Sequence, residues 1–395
     1  MRVALVTHFF AHYRRTVFEL LLAHPRHRLT LVGDPDSSAH DGTIATWLPP
    51  DRSRMVATSF VRLPGGLLWQ RGVVRLALSR RYDGLIFVAD MKWLSSWVAA
   101  FVARALGKQV YYWAHGWRQR DHGLKGAVRR CYFSLANRLL LYGRRSRGIA
   151  IENGFDPRRV HVIYNCLDYP AQRAARARLG PVERRALRVS LFGDAEAPVV
   201  ACPTRLVPQR RLDLLLEAVA RLRAEHGRRV HVLLVGDGPE RPALEALAAR
   251  LGLAVHFAGA CYDEERMAGY LTAATCTVAP GMVGLTAMHS LAFGVPVLTH
   301  GDPDRQMPEA EAVVPGVTGD HFRNGDVADL AAAIERWTRT TFPAPAVSAA
   351  CIRVIERFYN PDSQLALIVE ALDGLPARAI SSDRIQADEL GEEAG

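Results

Sequence analysis

The sequence predicts an α/β protein built from two doubly wound, Rossmann-like halves, and three observations carry that prediction. Short apolar runs alternate with amphipathic stretches of helical period along most of the chain. The rhythm lapses in a stretch rich in Pro, Ala and Arg at 171–198, then restarts. The 395 residues, about half of them apolar, are also more than one ordinary core organises, which makes two domains the default.

In the first half the runs 2–7, 28–33, 84–89, 109–114 and 138–142 read as buried strands. Amphipathic stretches at 13–23, 70–80 and 94–106 lie between them, the βαβ rhythm of a parallel sheet covered on both faces. In the second half, 199–202, 230–235, 255–258, 276–279 and 295–299 read as strands. The helix 212–222 stripes Leu212, Leu215, Leu216, Val219 and Leu222. The helix 240–251 follows the next strand, and Asp326 is placed to cap a helix at 326–337. The expected organisation is a first domain at 1–170, a linker with one helix at 171–198 and a second domain at 199–357. A helix at 358–375 returns to the first domain, and a disordered tail occupies 376–395.

Lys and Arg number 50 against 40 Asp and Glu, a formal charge of +10. The surplus favours anionic partners: phosphates, nucleic acid or an acidic membrane surface. The basic residues form no recognised nucleic-acid module, so no nucleic acid is expected. The six cysteines are scattered without metal-ligand spacing, the pattern of a reduced chain without structural zinc. The N-terminus turns polar at Thr7 and His8, too early for a secretory signal. The apolar stretch 93–106 is broken by Arg104 and is shorter than the ~20 residues of a membrane helix. A cytoplasmic location is expected, with a peripheral hold on the cytoplasmic face of a membrane as an option.

Three segments of the second half carry chemistry. Segment 203–211 follows a strand and opens a helix, and places Arg205 and Arg210 where free amides and a helix dipole favour anions. Guanidinium grips phosphate through paired hydrogen bonds; the plainer alternative is two solvated arginines. The turn Gly236-Asp237-Gly238-Pro239 gives tight backbone geometry but is not a dinucleotide fingerprint. In segment 280–290, Gly281, Gly284, Leu285 and Thr286 form a small-residue loop entering a helix that bears His289. Its amides are expected to face a phosphate or sugar; the alternative is an ordinary strand-to-helix turn with a helical histidine.

In this order and spacing the segments resemble the C-terminal half of family 4 retaining glycosyltransferases, of GT-B fold. A looser likeness runs over about 1–375. The resemblance implies two domains facing across a cleft, the first on the acceptor side and the second binding the nucleotide sugar. It implies that Arg205 and Arg210 hold the donor diphosphate, with Arg210 standing where Lys is usual. It places Gly281 and His289 at two positions, eight apart, where the family carries glutamates for the donor sugar and the ribose diol. Both carboxylates are missing, as in a variant resembling bacterial surface-polysaccharide transferases. Gly281, Gly284, Leu285, Thr286 and His289 are thus the expected donor-binding set. His115, after strand 109–114, is expected near the donor sugar, and Arg14 near acceptor or phosphate.

Glu309 and Glu311 are candidates for a displaced carboxylate. Asp34-Pro35-Asp36 and Asp302-Pro303-Asp304 match a D-x-D metal pattern, but their central Pro reads as turn chemistry. No metal and no cofactor is assigned; the donor is a nucleotide diphosphate sugar and the acceptor a saccharide or lipid-linked group. Basic residues from Arg118 to Arg147, interleaved with Trp117, Tyr132, Phe133 and Leu135, suggest an anionic membrane surface as a partner. A nucleotide-sugar epimerase of the same architecture and a silent nucleotide-sugar binding protein remain as alternatives.

Overall fold

A computed structural model describes residues 1–36 and 44–391. The chain divides into two compact units: Met1–Asp168 with Pro361–Asp383, and Tyr169–Asn360 with the stretch from Arg384.

The first unit is organised on a parallel sheet. It begins with β1 (Arg2–Phe9), β2 (Arg28–Asp34) and β3 (Met55–Ala57); a separate antiparallel hairpin, β4 (Phe60–Arg62) and β5 (Leu68–Gln70), follows. The sheet continues with β6 (Gly84–Val88), β7 (Gln109–Ala114), β8 (Arg138–Leu141) and β9 (Val160–Val162). Its order is β3-β2-β1-β6-β7-β8-β9, so the direction of winding reverses between β1 and β6. The second unit carries β10 (Val199–Pro203), β11 (His231–Val235), β12 (Val255–Gly259), β13 (Cys276–Ala279), β14 (Val297–His300) and β15 (Gly319–Phe322). Its order is β12-β11-β10-β13-β14-β15, reversing between β10 and β13. Ligands of such sheets bind outside the carboxyl ends of the strands at these reversals.

The local reasons are those of the sequence. β10 and β11 are buried at every residue, as near-continuous apolar strands covered on both faces must be. Helix Leu212–His226 buries the predicted stripe. Asp326 caps helix Val327–Trp337 by accepting from the Asp329 amide at 2.9 Å. β9 and β15 were not predicted; three or four residues are too short for a period to register.

Three expectations need correction. The stretch 171–198 is not a linker with one helix. It forms helices Tyr169–Ala177 and Pro181–Phe192, both packed in the second unit. The described part of the tail is not disordered: Ile385 and Leu390 are buried, and the Arg353 guanidinium donates to the Leu390 carbonyl at 3.0 Å. Two apolar anchors outweigh the acidic composition there; residues 392–395 lie outside the described residues. Finally, Trp117, Tyr132 and Phe133 do not interleave with basic residues at the surface. They are buried in the first unit's core.

Arg188 explains why the presumed linker is fixed. Its side chain is fully buried. It donates to the carbonyls of Ala273 and Thr341, both at 2.7 Å, and to that of Ala197 at 3.2 Å, and lies 3.9 Å from the centre of the Phe342 ring. Burial lowers its pKa to about 10, so the guanidinium stays charged at neutral pH. Replacing it orphans several buried carbonyls at once. Arg188→Met is expected to cost roughly 3 kcal/mol or more, measured by urea unfolding. A loss below ~1 kcal/mol, the scale of one net hydrogen bond, would mean that helix Pro181–Phe192 is loosely attached.

Candidate active site

The loop after β10, at 204–211, and the loop after β13, at 280–284, leave adjacent strand ends at the reversal of the second sheet. The first is seated by glycine. A Cβ on Gly236 would lie 1.8 Å from the Thr204 carbonyl oxygen, and one on Gly238 2.3 Å from that of Leu206. The Gly-Asp-Gly-Pro turn is therefore glycine-bearing because two loops pack backbone to backbone. Arg205 is exposed on this turn.

Arg210 joins the two loops. Its carbonyl accepts from the Gly281 amide at 3.0 Å, and its guanidinium donates to the Met282 carbonyl. Burial pulls its pKa down, while Cys202 and Glu309 push it up. Glu309, one of the two candidates for a displaced carboxylate, is buried in the turn Pro308–Ala312. Glu311 is half-buried in the same turn.

Gly281 has a steric reason. A Cβ there would lie 2.1 Å from the Gln209 carbonyl oxygen and 3.0 Å from Arg210 Cα. No side chain, and so no glutamate, fits at 281 without moving the backbone that positions Arg210. Gly284 follows with φ +51° and precedes helix Leu285–Ala292, a conformation that favours glycine. A Cβ on Gly284 would be 3.8 Å from Arg210 Nη1, so the arginine and the helix N-terminus are neighbours. The first amides of a helix lack intrahelical acceptors and attract anions. Leu285 is half-buried at the helix start. The Thr286 hydroxyl instead donates to the Pro203 carbonyl at 2.8 Å, which fastens the helix to β10.

Two glutamines were not anticipated. Gln306 is buried. It accepts from the Val283 amide at 3.0 Å and donates to the Thr299 hydroxyl at 2.7 Å, holding the 281–283 loop from beneath. Gln172, on helix Tyr169–Ala177, is also buried, and its amide nitrogen lies 3.3 Å from His289 Nδ1. With that amide donating, the neutral ring carries its proton on Nε2 and offers a donor where a carboxylate would accept. Neither residue sits in a motif, so only the folded chain reveals them. Asp34-Pro35-Asp36 and Asp302-Pro303-Asp304 form Asx turns, each first carboxylate accepting from the amide two residues on at 3.0 and 3.1 Å.

His115 and Arg14 belong to the first unit, in a cavity of about 330 Å³ at the carboxyl ends of β6 and β7. Its walls include His8, Arg14, Asp90, His115, Arg129 and Tyr142. Arg14 donates to the Tyr142 hydroxyl at 2.8 Å and lies 5.3 Å from the centre of the Trp113 ring. His115 is exposed, with its ring 4.9 Å from that of Tyr142. The structure thus gathers the predicted residues into two groups: Arg14 with His115, and Arg205, Arg210 and 281–289.

The steric reading of Gly281 is testable. Gly281→Glu should not act as a restored carboxylate. It should lower the second unit's stability by about 1–3 kcal/mol and weaken nucleotide binding through Arg210. Unchanged melting with tighter nucleotide binding would refute the contact.

Residues 197–339 match the family model described as Glycosyl transferases group 1. The D-inositol 3-phosphate glycosyltransferase of Geodermatophilus obscurus is 34% identical over 202 residues, 48% of this chain and 42% of that protein. The GDP-mannose-dependent alpha-(1-6)-phosphatidylinositol monomannoside mannosyltransferase of Mycolicibacterium smegmatis is 31% identical over 166 residues, 38% of this chain and 41% of that protein. The chain thus spans about two fifths of the length of these curated relatives. The crystal structure of Anabaena HepE in complex with UDP has a TM-score of 0.69 at 19% identity, covering 95% of this chain and 100% of that one. At that identity the likeness is one of fold. The chain has the two parallel-sheet, Rossmann-like domains of the GT-B fold, and its segment 197–339 is similar to the group 1 glycosyl transferases.

Proposed function

We propose that the protein is a glycosyltransferase that moves a sugar from a nucleoside diphosphate donor to a saccharide or lipid-linked acceptor, with retention of configuration. The observation that carries this reading is the cradle at the β10/β13 reversal. Arg210 is held beside the N-terminus of helix Leu285–Ala292, and Arg205 lies on the same loop, inside the segment that matches the family. As the sugar–phosphate bond breaks, negative charge grows on the departing diphosphate. Two guanidiniums and a helix dipole stabilise that charge where it develops. With this positive charge supplied by the chain, the reading needs no metal. The cavity with Arg14 and His115 is assigned to the acceptor side. Same-face attack is preferred because no side chain is assigned as a nucleophile.

The crystallised HepE complexes contain UDP and UDP-glucose, so uridine donors come first in a thermal-shift panel of nucleotide sugars. Incubation with labelled donor then tests the reaction. Transfer, or slow donor hydrolysis, supports a transferase; an isomerised sugar would make the protein an epimerase; binding without turnover would make it a silent binding protein.

Arg210→Ala is expected to lower kcat/KM by on the order of tenfold to a thousandfold with the fold retained. Wild-type rates in that variant would remove Arg210 from the mechanism.

His289 is assigned to the ribose, as a donor oriented by Gln172. His289→Ala is expected to weaken binding of the nucleoside diphosphate by ~1–3 kcal/mol, and Gln172→Leu to reproduce part of that loss. Calorimetric titration of both variants decides. Unchanged dissociation constants alongside reduced stability would make the pair a packing contact.

A further inference from the structure

Three of the helices covering one face of the first unit's sheet are Val73–Leu78, Leu94–Ala105 and Gly123–Ser134. The first packs on the second. The second meets the third through Trp97 and Tyr132, whose rings are 4.7 Å apart, and through Arg104, which donates to the Leu135 carbonyl at 3.3 Å. None of the three contains an Asp or a Glu. Of the ten large apolar side chains left exposed among the described residues, six lie on or at the ends of these helices: Leu78, Val98, Phe101, Leu106, Leu124 and Val128.

Helix Leu94–Ala105 packs Trp97 and Val102 against the core yet leaves large apolar side chains on its outer side. Its buried side carries Ser95, Ser96, Ala99, Ala100 and Ala103, while Phe101 is 64% exposed. Arg104 is its only charge. On helix Gly123–Ser134, Leu124 and Val128 face out one turn apart, with Lys125 exposed beside them. Among the described residues, Arg75 and Arg104 make no salt bridge, and the nearest carboxylate to Lys125, that of Asp121, is 3.9 Å away and already paired with Arg129.

We propose that this three-helix face docks the protein on an anionic lipid bilayer, with the apolar side chains entering the headgroup boundary and the basic ones meeting lipid phosphates. Charge complementarity selects this occupant. A second copy pairing through the same face would bring like charges together, whereas an anionic membrane neutralises them. The face also adjoins the acceptor-side cavity. Arg129, Tyr132 and Phe133 line that cavity from the inner side of the helix whose outer side carries Leu124 and Val128. For the kind of acceptor, the proposal rests on the glycosyltransferase reading: a lipid-linked acceptor in the docked bilayer lies beside the cavity. For the docking itself it does not.

Vesicle flotation tests it with the full chain, using phosphatidylcholine alone or mixed with phosphatidylglycerol. Recovery with the mixed vesicles should exceed that with neutral ones by about tenfold. The double variant Phe101→Glu/Leu124→Glu should lose about tenfold of that recovery, and Arg104→Gln/Lys125→Gln a similar amount, each keeping the wild-type circular dichroism spectrum and cooperative melting. If the glutamate variant fails to fold, the glutamine variant decides. Equal recovery on both vesicles, no recovery on either, or undiminished recovery of the folded variants would overturn the proposal. So would self-association abolished by Phe101→Glu/Leu124→Glu without vesicle binding. Flotation needs no turnover, so lack of transferase activity with intact vesicle binding would count against the proposed function and leave the docking face standing.

Discussion

The second unit's site depends on one close approach, the backbone of Gly281 against that of Gln209 and Arg210. Because nothing projects from 281, the loops after β10 and β13 come together, and the Gly281 amide closes on the Arg210 carbonyl. That contact aims the Arg210 guanidinium at the Met282 carbonyl and the N-terminus of helix Leu285–Ala292. Gln306 supports the same loop from below, bridging Val283 and Thr299. A carboxylate carried at 281 and a loop packed this tightly are mutually exclusive. The chain has the tight loop, and Glu309 is buried in the turn Pro308–Ala312.

A second constraint makes the region before β10 part of the site. Arg188 is a buried cation satisfied by carbonyl and hydroxyl oxygens. An arrangement of this kind is costly to form unless every donor is used, so it holds one geometry. Helix Tyr169–Ala177 is held as well: the Arg176 guanidinium donates to the Ala292 carbonyl at the end of helix Leu285–Ala292. Gln172 on that helix then reaches His289. A stretch that composition describes as a spacer is what orients the imidazole.

The legible parts of the sequence were those with a period. β10 and β11 announced themselves by unbroken apolar runs, and helix Leu212–His226 by its leucine stripe. The loops after β10 and β13 were legible as strand-to-helix turns bearing Gly and Arg. Contacts between segments far apart in the chain were not legible. Gln172 and His289 are 117 residues apart, and Arg188 and Thr341 153. No local pattern encodes such a pair. Reading 171–198 as a linker followed from its Pro and Arg content, and the buried guanidinium overrode that content. The absence of glutamate at 281 was visible, but its cause, a backbone oxygen 2.1 Å from where a Cβ would stand, was not. The basic stretch 118–147 suggested surface aromatics, yet Tyr132 and Phe133 fill the core, packing on Tyr112 and Trp117.

The outer face of the first unit follows a different logic from its core. A helix selected only for folding turns its largest apolar side chains inward, since burying one contributes about 1.5–3 kcal/mol. Helix Leu94–Ala105 departs from this in part: Trp97 and Val102 pack against the core beside alanine and serine, while Phe101 and Val98 face solvent. Small inward residues let the helix lie close on the sheet, which accounts for the inner side. Nothing inside the unit accounts for the outer one, because a Phe in water contributes no burial and adds a liability to association. The neighbouring helices also leave Leu78, Leu124 and Val128 exposed and contain no acids. Helix Gly123–Ser134 then separates its two tasks by direction, with Arg129, Tyr132 and Phe133 turned to the cavity and Leu124 and Val128 turned away from it. A single helix that is both the wall of a binding cavity and part of an apolar, basic exterior couples whatever covers that exterior to what enters the cavity.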